Sequence, residues 1–457
     1  MGSGLDGRPA LAPLEAARAH VQPADARRAF AGDPCRSPAA AWRLGAAGRR
    51  PRRPRGLVAG PLEGLRVVEL AEGIAGPYCA QELADAGASV VKVEKPGGDR
   101  TRGWGSRARG DVGVSFLQLN RGKRGVALDP GGEEGVEVLR RLIGDADIVI
   151  ADAGWSADAG LQYESLGDLN PQLVYCRFSQ YGDRGPWADQ PPHGELAAQL
   201  AADGTGSLGT IGEPPVRMAT DIASMYAAVY SVMSICAGIY ARDESGGQRI
   251  DVSLFGSVLA MRSTLWVALS NPDEWWGFHL DSYIKPPDTG YHCKDGAIYF
   301  SLARTPPEQR DDLYRELGME WVKDDPLFEI VNVDTGGGGG RYSHIARPGW
   351  ERALANFTTE EAMEITWRYG GWAFPKNDYD ALVNEPQAQH VEVFETVDQP
   401  GVGALRQVAP PWDFEGTPAA IQGPAPLLGE HNAAVLAEAG YSEAEIARLG
   451  DEGVLAG

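Results

Sequence analysis

Several features that would quickly sort this chain into a class are missing or sparse. Its five cysteines (Cys35, Cys79, Cys176, Cys236, Cys293) are odd in number and show no paired short spacing. That excludes a disulfide framework and a cysteine-based zinc site, and it points to a reducing, cytoplasmic setting. No metal is expected. No apolar run is long and clean enough to span a bilayer. The best stretch, 222–240, is interrupted by Ser224, Ser231, Ser234 and Gly238, and its apolar residues all round read as a buried helix. Net positive charge is absent, the formal value being −21, which argues against nucleic acid and anionic membrane as partners. Two phosphate-binding signatures are absent too. The loop Glu72-Gly-Ile-Ala-Gly76 does not spell G-x-G-x-x-G, and the glycines Gly336 to Gly340 are followed by Arg341 instead of Lys-Ser/Thr.

What is present describes a globular protein of several parts. With 457 residues the chain is too long for a single compact core, and 43% hydrophobic with 23% charged residues is ordinary for such a fold. Residues 1–58 stand apart. The first 59 residues carry eleven Arg against four Asp/Glu, a local +7 that leaves −28 for the remainder. Rich in Ala, Arg, Pro and Gly, this leader has little apolar surface to bury and is expected to be disordered or loosely helical.

From Gly60 the pattern is that of alternating strands and helices. Residues 65–70 read as a strand, 77–86 as a helix with Pro77 in its first turn and Gly87 as its stop, and 88–94 as a second strand. Strand–helix–strand within about thirty residues is a βαβ unit with parallel strands, whose loops at the carboxyl ends of the strands are the usual ligand position. Further strands are expected near 126–129, 146–150, 173–178 and 249–254, with an amphipathic helix at 132–143. Asp221 sits where a helix N-cap belongs. The cations Lys92, Lys95, Arg100, Arg102, Lys123 and Arg124 gather in one part of an acidic chain, a distribution suited to a polyphosphate ligand as well as to a solvated surface. After about 271 the pattern shifts to short elements, with a hairpin around Lys294-Asp295-Gly296 and a pair of helices at the C-terminal end.

The candidate for chemistry lies in 181–204. Directly after a strand comes a glycine- and proline-rich turn, Tyr181-Gly-Asp-Arg-Gly-Pro186; then Glu195 follows His193-Gly194 at the head of an alanine-rich helical run. A carboxylate in that position faces the positive end of the helix dipole and unpaired N–H groups, which keep it ionised and available as a nucleophile. A first-turn Glu that merely supports its helix is the plain alternative.

Seven motifs in order carry a resemblance: GLRVVEL (64–70), AGP (75–77), VKVEKPG (91–97), NRGKR (120–124), YGDRGP (181–186), QRIDVSL (248–254) and PLLGEH (426–431). Together they resemble the family III CoA-transferases, the group of formyl-CoA and carnitine CoA-transferases, related to 2-methylacyl-CoA racemase. The likeness runs from about residue 60 to 450. It implies an α/β fold: a large Rossmann-like parallel-sheet domain formed by both chain ends (59–270 and 400–457), a smaller α+β domain with linkers (271–399), and an interlocked homodimer. A heteromer with a paralogue is the alternative assembly. It further implies transfer of CoA from an acyl-CoA donor to a carboxylic acid, with coenzyme A as the carried group. The family's nucleophilic Asp maps onto Glu195, and CoA contacts map by position onto Ile74, Ala75, Lys95, Lys123 and Arg124. Two departures stand out: Glu replaces Asp, and Ala151-Asp-Ala-Gly-Trp155 replaces an Asn-Phe-x-Pro-Gly loop. The racemase branch would instead use a His–Asp pair, here His193 and Asp221, as proton-transfer groups. A non-catalytic partner subunit is the non-enzymatic alternative.

Overall fold

A computed structural model describes residues 60–106, 112–158, 161–190, 194–202, 221–263, 266–267, 270, 290–302, 305–324 and 343–457. The leader 1–58, His193 and the run Gly336 to Gly340 lie outside the described residues. In chain order the first elements are β1 (Arg66–Leu70), α1 (Ala75–Asp85), β2 (Ser89–Glu94), α2 (Val114–Leu119), β3 (Arg124–Ala127) and α3 (Glu133–Gly144). Next come β4 (Ile148–Asp152), α4 (Ala153–Asp158), α5 (Tyr163–Leu169), β5 (Val174–Ser179), α6 (Glu195–Ala201), α7 (Ile222–Ser245), β6 (Gln248–Ser253) and α8 (Leu254–Met261). The strands expected from the sequence all form, within two residues of the expected limits.

These six strands make one parallel sheet in the order β3-β2-β1-β4-β5-β6. Side chains alternate between its faces, as strand geometry requires. Val67, Val90, Ile148, Ile150, Val174 and Cys176 turn to a core shared with α1, α7 and α8. Val68, Val91, Val93, Val149 and Tyr175 turn to a second core with residues of α3 and of the C-terminal helices. Burial on both faces explains why these strands read as near-continuous apolar runs. Close helix-to-sheet approach depends on Gly76, where an added Cβ would lie 2.3 Å from the Cβ of Ala71.

The second part is built on an antiparallel sheet of β7 (Tyr291–His292), β8 (Ala297–Ser301) and, further along the chain, β9 (Trp372–Pro375). Helices α9 (Pro307–Glu316), α10 (Ser343–Leu354) and α11 (Thr359–Arg368) lie between β8 and β9 in sequence. Its own core includes Ile298, Leu313, Trp350, Leu354 and Ile365. α12 (Tyr379–Asn384), α13 (Pro386–His390) and the hairpin of β10 (Phe394–Gln399) with β11 (Gly403–Val408) lead back to the parallel sheet.

The chain then closes that sheet with α14 (Asn432–Glu438) and α15 (Glu443–Asp451). An edge strand leaves a row of unpaired N–H and C=O groups. On β3 they are taken up by the C-terminal segment. Gly125 N donates to His431 Nδ1 and Ala127 N to Asn432 Oδ1, while His431 N and Ala456 N donate back to Gly125 O and Ala127 O. Ser442 and Glu445 form a reciprocal cap at the head of α15.

Among the described residues α7 is covered on one face only, where its sequence suggests burial all round. Ala223, Ser224, Ala227, Ala228, Ser231, Ile235 and Gly238 pack inward, all but Ile235 small residues that let α1, α8, β5 and β6 approach. The opposite stripe, Val229, Met233, Cys236 and Tyr240, is exposed, Tyr240 at 91%. By length and apolarity the helix could cross a membrane. An all-round apolar helix needs cover on both sides, and among the described residues only one side has it.

Candidate active site

The carboxyl edge of the sheet gathers the Ile74–Ala75 turn, Lys95 and the head of α6 with Glu195. The strand order reverses between β1 and β4, so their following loops part and leave a crevice, the general ligand position in open α/β sheets. Ile74 and Ala75 begin α1 at this edge. Ile74 is the N-cap and provides no side-chain hydrogen bond, so the first amides of the helix are left for another acceptor.

Behind that loop lies a fully enclosed charge network. Lys92 Nζ reaches Glu69 Oε1, Asp99 Oδ2 and the carbonyl of Ala71, each at 2.9 Å. Lys123 Nζ reaches Glu69 Oε2 at 2.7 Å and the oxygens of Asn120 and Pro77 at 2.8 Å. Two cations and two carboxylates neutralise one another, and each ion's hydrogen-bonding capacity is largely used, the condition under which buried charge is tolerated. Burial disfavours the charged form of Lys92, but Glu69, Asp99 and Glu94 outweigh it and hold the ammonium above its ordinary range. For Lys123 burial prevails, and its pKa falls to about 8. Burial opposes ionisation of Asp99, yet Lys92 and Thr101 hold it below the usual carboxylate range.

The remaining cations divide. Arg102 is held by both oxygens of Glu94 at 2.7 Å and lies over the Phe116 ring. Arg124 makes a two-pronged contact with Glu438 at 2.7 Å and touches Ser89 at the amino end of β2, the edge away from the crevice. Lys95 follows β2 and sits 5.3 Å from the ring centre of the buried Trp155. Lys95 is therefore at the crevice edge, Lys123 is an internal structural group, and Arg124 ties the sheet to α14.

Glu195 opens α6, and of this residue the structure describes the backbone. The N-cap Gly194 has φ +87°, a conformation that favours glycine. Its carbonyl accepts from Ala197 N at 3.2 Å and from Gln180 Nε2 at 2.5 Å. Gln180 directly follows β5, and its own carbonyl accepts from Phe255 N in α8. The head of α6 is thus tied to the carboxyl end of β5, two strand spacings, roughly 10 Å, from the end of β1. Tyr181, Trp187 and Phe255 stack edge-to-face beside it, with ring centres 5.3 and 5.6 Å apart. Asp221 caps α7: Oδ1 accepts from Ser224 N at 3.0 Å and Oδ2 from Ser224 Oγ at 2.8 Å.

Sequence reasoning missed Gln180, Glu69 and Asp99. Nothing in the local pattern marks Gln180, whose partner is fourteen residues on. The buried acids could have been suspected, because Glu69 and Lys92 are charged residues inside otherwise apolar strands.

Residues 62–432 match CoA-transferase family III. A succinate–glutarate CoA-transferase of Agrobacterium fabrum is 31% identical over 396 residues, 83% of this chain and 95% of the relative. An acyl-CoA transferase of Fusarium pseudograminearum is 30% identical over 87% of this chain and 88% of its own. The human succinyl-CoA:glutarate CoA-transferase is 26% identical over 86% and 90%. Among solved structures, a CAIB/BAIF family protein from Brucella suis shares the fold with a TM-score of 0.69 and 28% identity, covering 83% of this chain and 100% of that one. With the parallel sheet, the crevice and a match across most of its length, the chain belongs to CoA-transferase family III and is an enzyme of the transferase class.

Proposed function

We propose that the protein moves CoA from an acyl-CoA donor to a carboxylic acid through covalent intermediates on Glu195. The observation that carries this reading is the position of Glu195 at the head of α6, tied by Gln180 to the carboxyl edge of the sheet. A Glu195 oxygen attacks the thioester carbonyl and the C–S bond breaks, giving a mixed anhydride and the CoA thiolate. The thiolate then attacks the glutamyl carbonyl, which releases the donor acid and leaves a glutamyl-CoA thioester. An acceptor carboxylate attacks that thioester, breaking the C–S bond and forming a second mixed anhydride; the freed thiolate attacks the acceptor's carbonyl, giving the new acyl-CoA and returning Glu195 as a free carboxylate. Each step exchanges one acyl bond for another, so no redox partner is needed. Ile74, Ala75 and Lys95 supply the CoA contacts at the crevice edge.

The relatives named for succinate, glutarate and succinyl-CoA make succinyl-CoA with glutarate the first donor and acceptor to try. A proton-transfer reading would need Asp221 as an acid–base group, and the occupation of both its oxygens by Ser224 favours a structural role. The exposed stripe of α7 supports an assembly of two chains.

Trapping tests the nucleophile. Protein incubated with succinyl-CoA and then treated with borohydride or hydroxylamine is expected to carry the modification on the peptide containing Glu195. The Glu195→Gln variant is expected to lose more than about a thousandfold in turnover. Full activity in that variant, or exchange of the substrate's α-proton without trapping, would replace this reading with another.

A further inference from the structure

One carboxylate spans the crevice at the reversal of strand order. Asp152 is the last residue of β4, in register one step beyond the pair Leu70–Ala151. Its Oδ2 accepts from the Glu72 amide at 3.0 Å, and its Oδ1 from the Trp155 amide at 2.9 Å. The first donor belongs to the loop after β1; the second lies in the first turn of α4, after β4. The two sides of the crevice are thereby joined through one side chain.

Three further side chains among the described residues grip the loop after β1 from its own side. Lys92 and Lys123 donate to Ala71 O and Pro77 O, and Asp99 Oδ1 accepts from Gly73 N at 3.4 Å. These groups come from β2, from the turn before β3 and from the segment after β2, all on the β1 side of the reversal. Asp152 alone among these four comes from the β4 side. A carboxylate is the group this place requires. It accepts two converging N–H groups with two oxygens, whereas an amide offers one oxygen and turns its own N–H₂ toward the other donor. A hydroxyl is shorter still and can serve only the nearer amide.

We propose that Asp152 is a positioning residue that staples the two lips of the crevice, setting the spacing between the Glu72–Ala75 backbone and α4, and with it the strength of CoA binding. The proposal rests on the transferase reading, because the crevice is taken as the seat of CoA. It acts on ground-state binding of the carried group at the gap between β1 and β4, and far less on the acyl chemistry at Glu195, whose helix is tied to the next strand, β5.

Two variants of the full chain separate this from a general effect on folding. Asp152→Asn keeps the shape and loses one acceptor. Asp152→Ser keeps a short cap for α4 and releases Glu72 only. Titration with free CoA is expected to show binding weakened about tenfold in both, the consequence of losing one charge-assisted hydrogen bond. KM for succinyl-CoA should rise in step while kcat changes far less. Amide exchange provides a readout independent of activity: the Glu72 amide should exchange faster in both variants, while that of Trp155 stays protected in the Ser variant. Variants that bind CoA as the parent does, or that lose only kcat, overturn the staple. A parent protein that binds no CoA overturns the transferase reading itself, a separate result.

Discussion

Glu82 shows how far one side chain can depart from what its type suggests. It lies on the inner side of α1, where burial first and the neighbouring Asp85 second raise its pKa from 4.5 to about 7, against a hydrogen bond from Tyr78 and the charge of Arg121. The unfolded chain releases this proton near pH 4.5, while the folded chain keeps it to about 7. Between those values the native state binds more protons than the unfolded state, so this group's contribution to stability falls as pH rises. Glu82→Gln should therefore be more stable than the parent above pH 7, by on the order of 3 kcal/mol from a shift of this size. The advantage should vanish below about pH 4.5. Urea unfolding at pH 4.5, 6 and 8 measures it; a gain independent of pH would refute the assignment. At the same scale, the sequence marked Lys123 and Arg124 alike as CoA contacts, and their partners in the folded chain separate them. Lys123 turns inward because Glu69, Asn120 and Pro77 O converge on it, and no local pattern encodes that convergence.

Among the elements, α7 carries the clearest consequence. Its length and its Asp221 cap follow from local rules, and both were legible in the sequence. Its two apolar faces were legible as well, but not their unequal fates. The inner face is lined by small residues and is filled within the chain. Met233, 62% exposed, and Tyr240 stand on the other. Replacing Met233 by Glu places a charge on that stripe and should leave the fold intact, because the position makes no use of the core. If the stripe joins two chains, the Met233→Glu variant should shift toward monomer in light scattering at fixed concentration, with an unchanged circular dichroism spectrum. An unaltered mass would remove α7 from the proposed interface.

For the whole molecule, closure depends on residues 287 and 305 positions apart. Asn432 joins β3 to the C-terminal end, accepting from Ala127 N at 2.9 Å and donating to Ala456 O at 2.8 Å. Arg121 binds Asp85 Oδ2 at 2.6 Å and the carbonyl of Val408 at 2.6 Å, so the hairpin of β10 and β11 is fastened to α1. Asn432→Ala leaves an edge amide and a carbonyl without their partners and should cost about 1–3 kcal/mol. Thermal unfolding followed by circular dichroism reads that loss; a change within a few tenths would mean that water replaces both bonds.

Local sequence patterns encode the parallel sheet and its βαβ units, the cap at Asp221, the hairpin at Lys294 to Gly296, and the head of α6 as a candidate site. Each follows from periodicity, turn chemistry or capping within a few residues. Packing alone settles which charges are internal, which amides converge on Asp152, and which face of α7 is left bare among the described residues. Those outcomes depend on whether a partner from another strand arrives to offset desolvation or to cover apolar surface, and such a partner is a property of the packed chain, not of its neighbours in sequence.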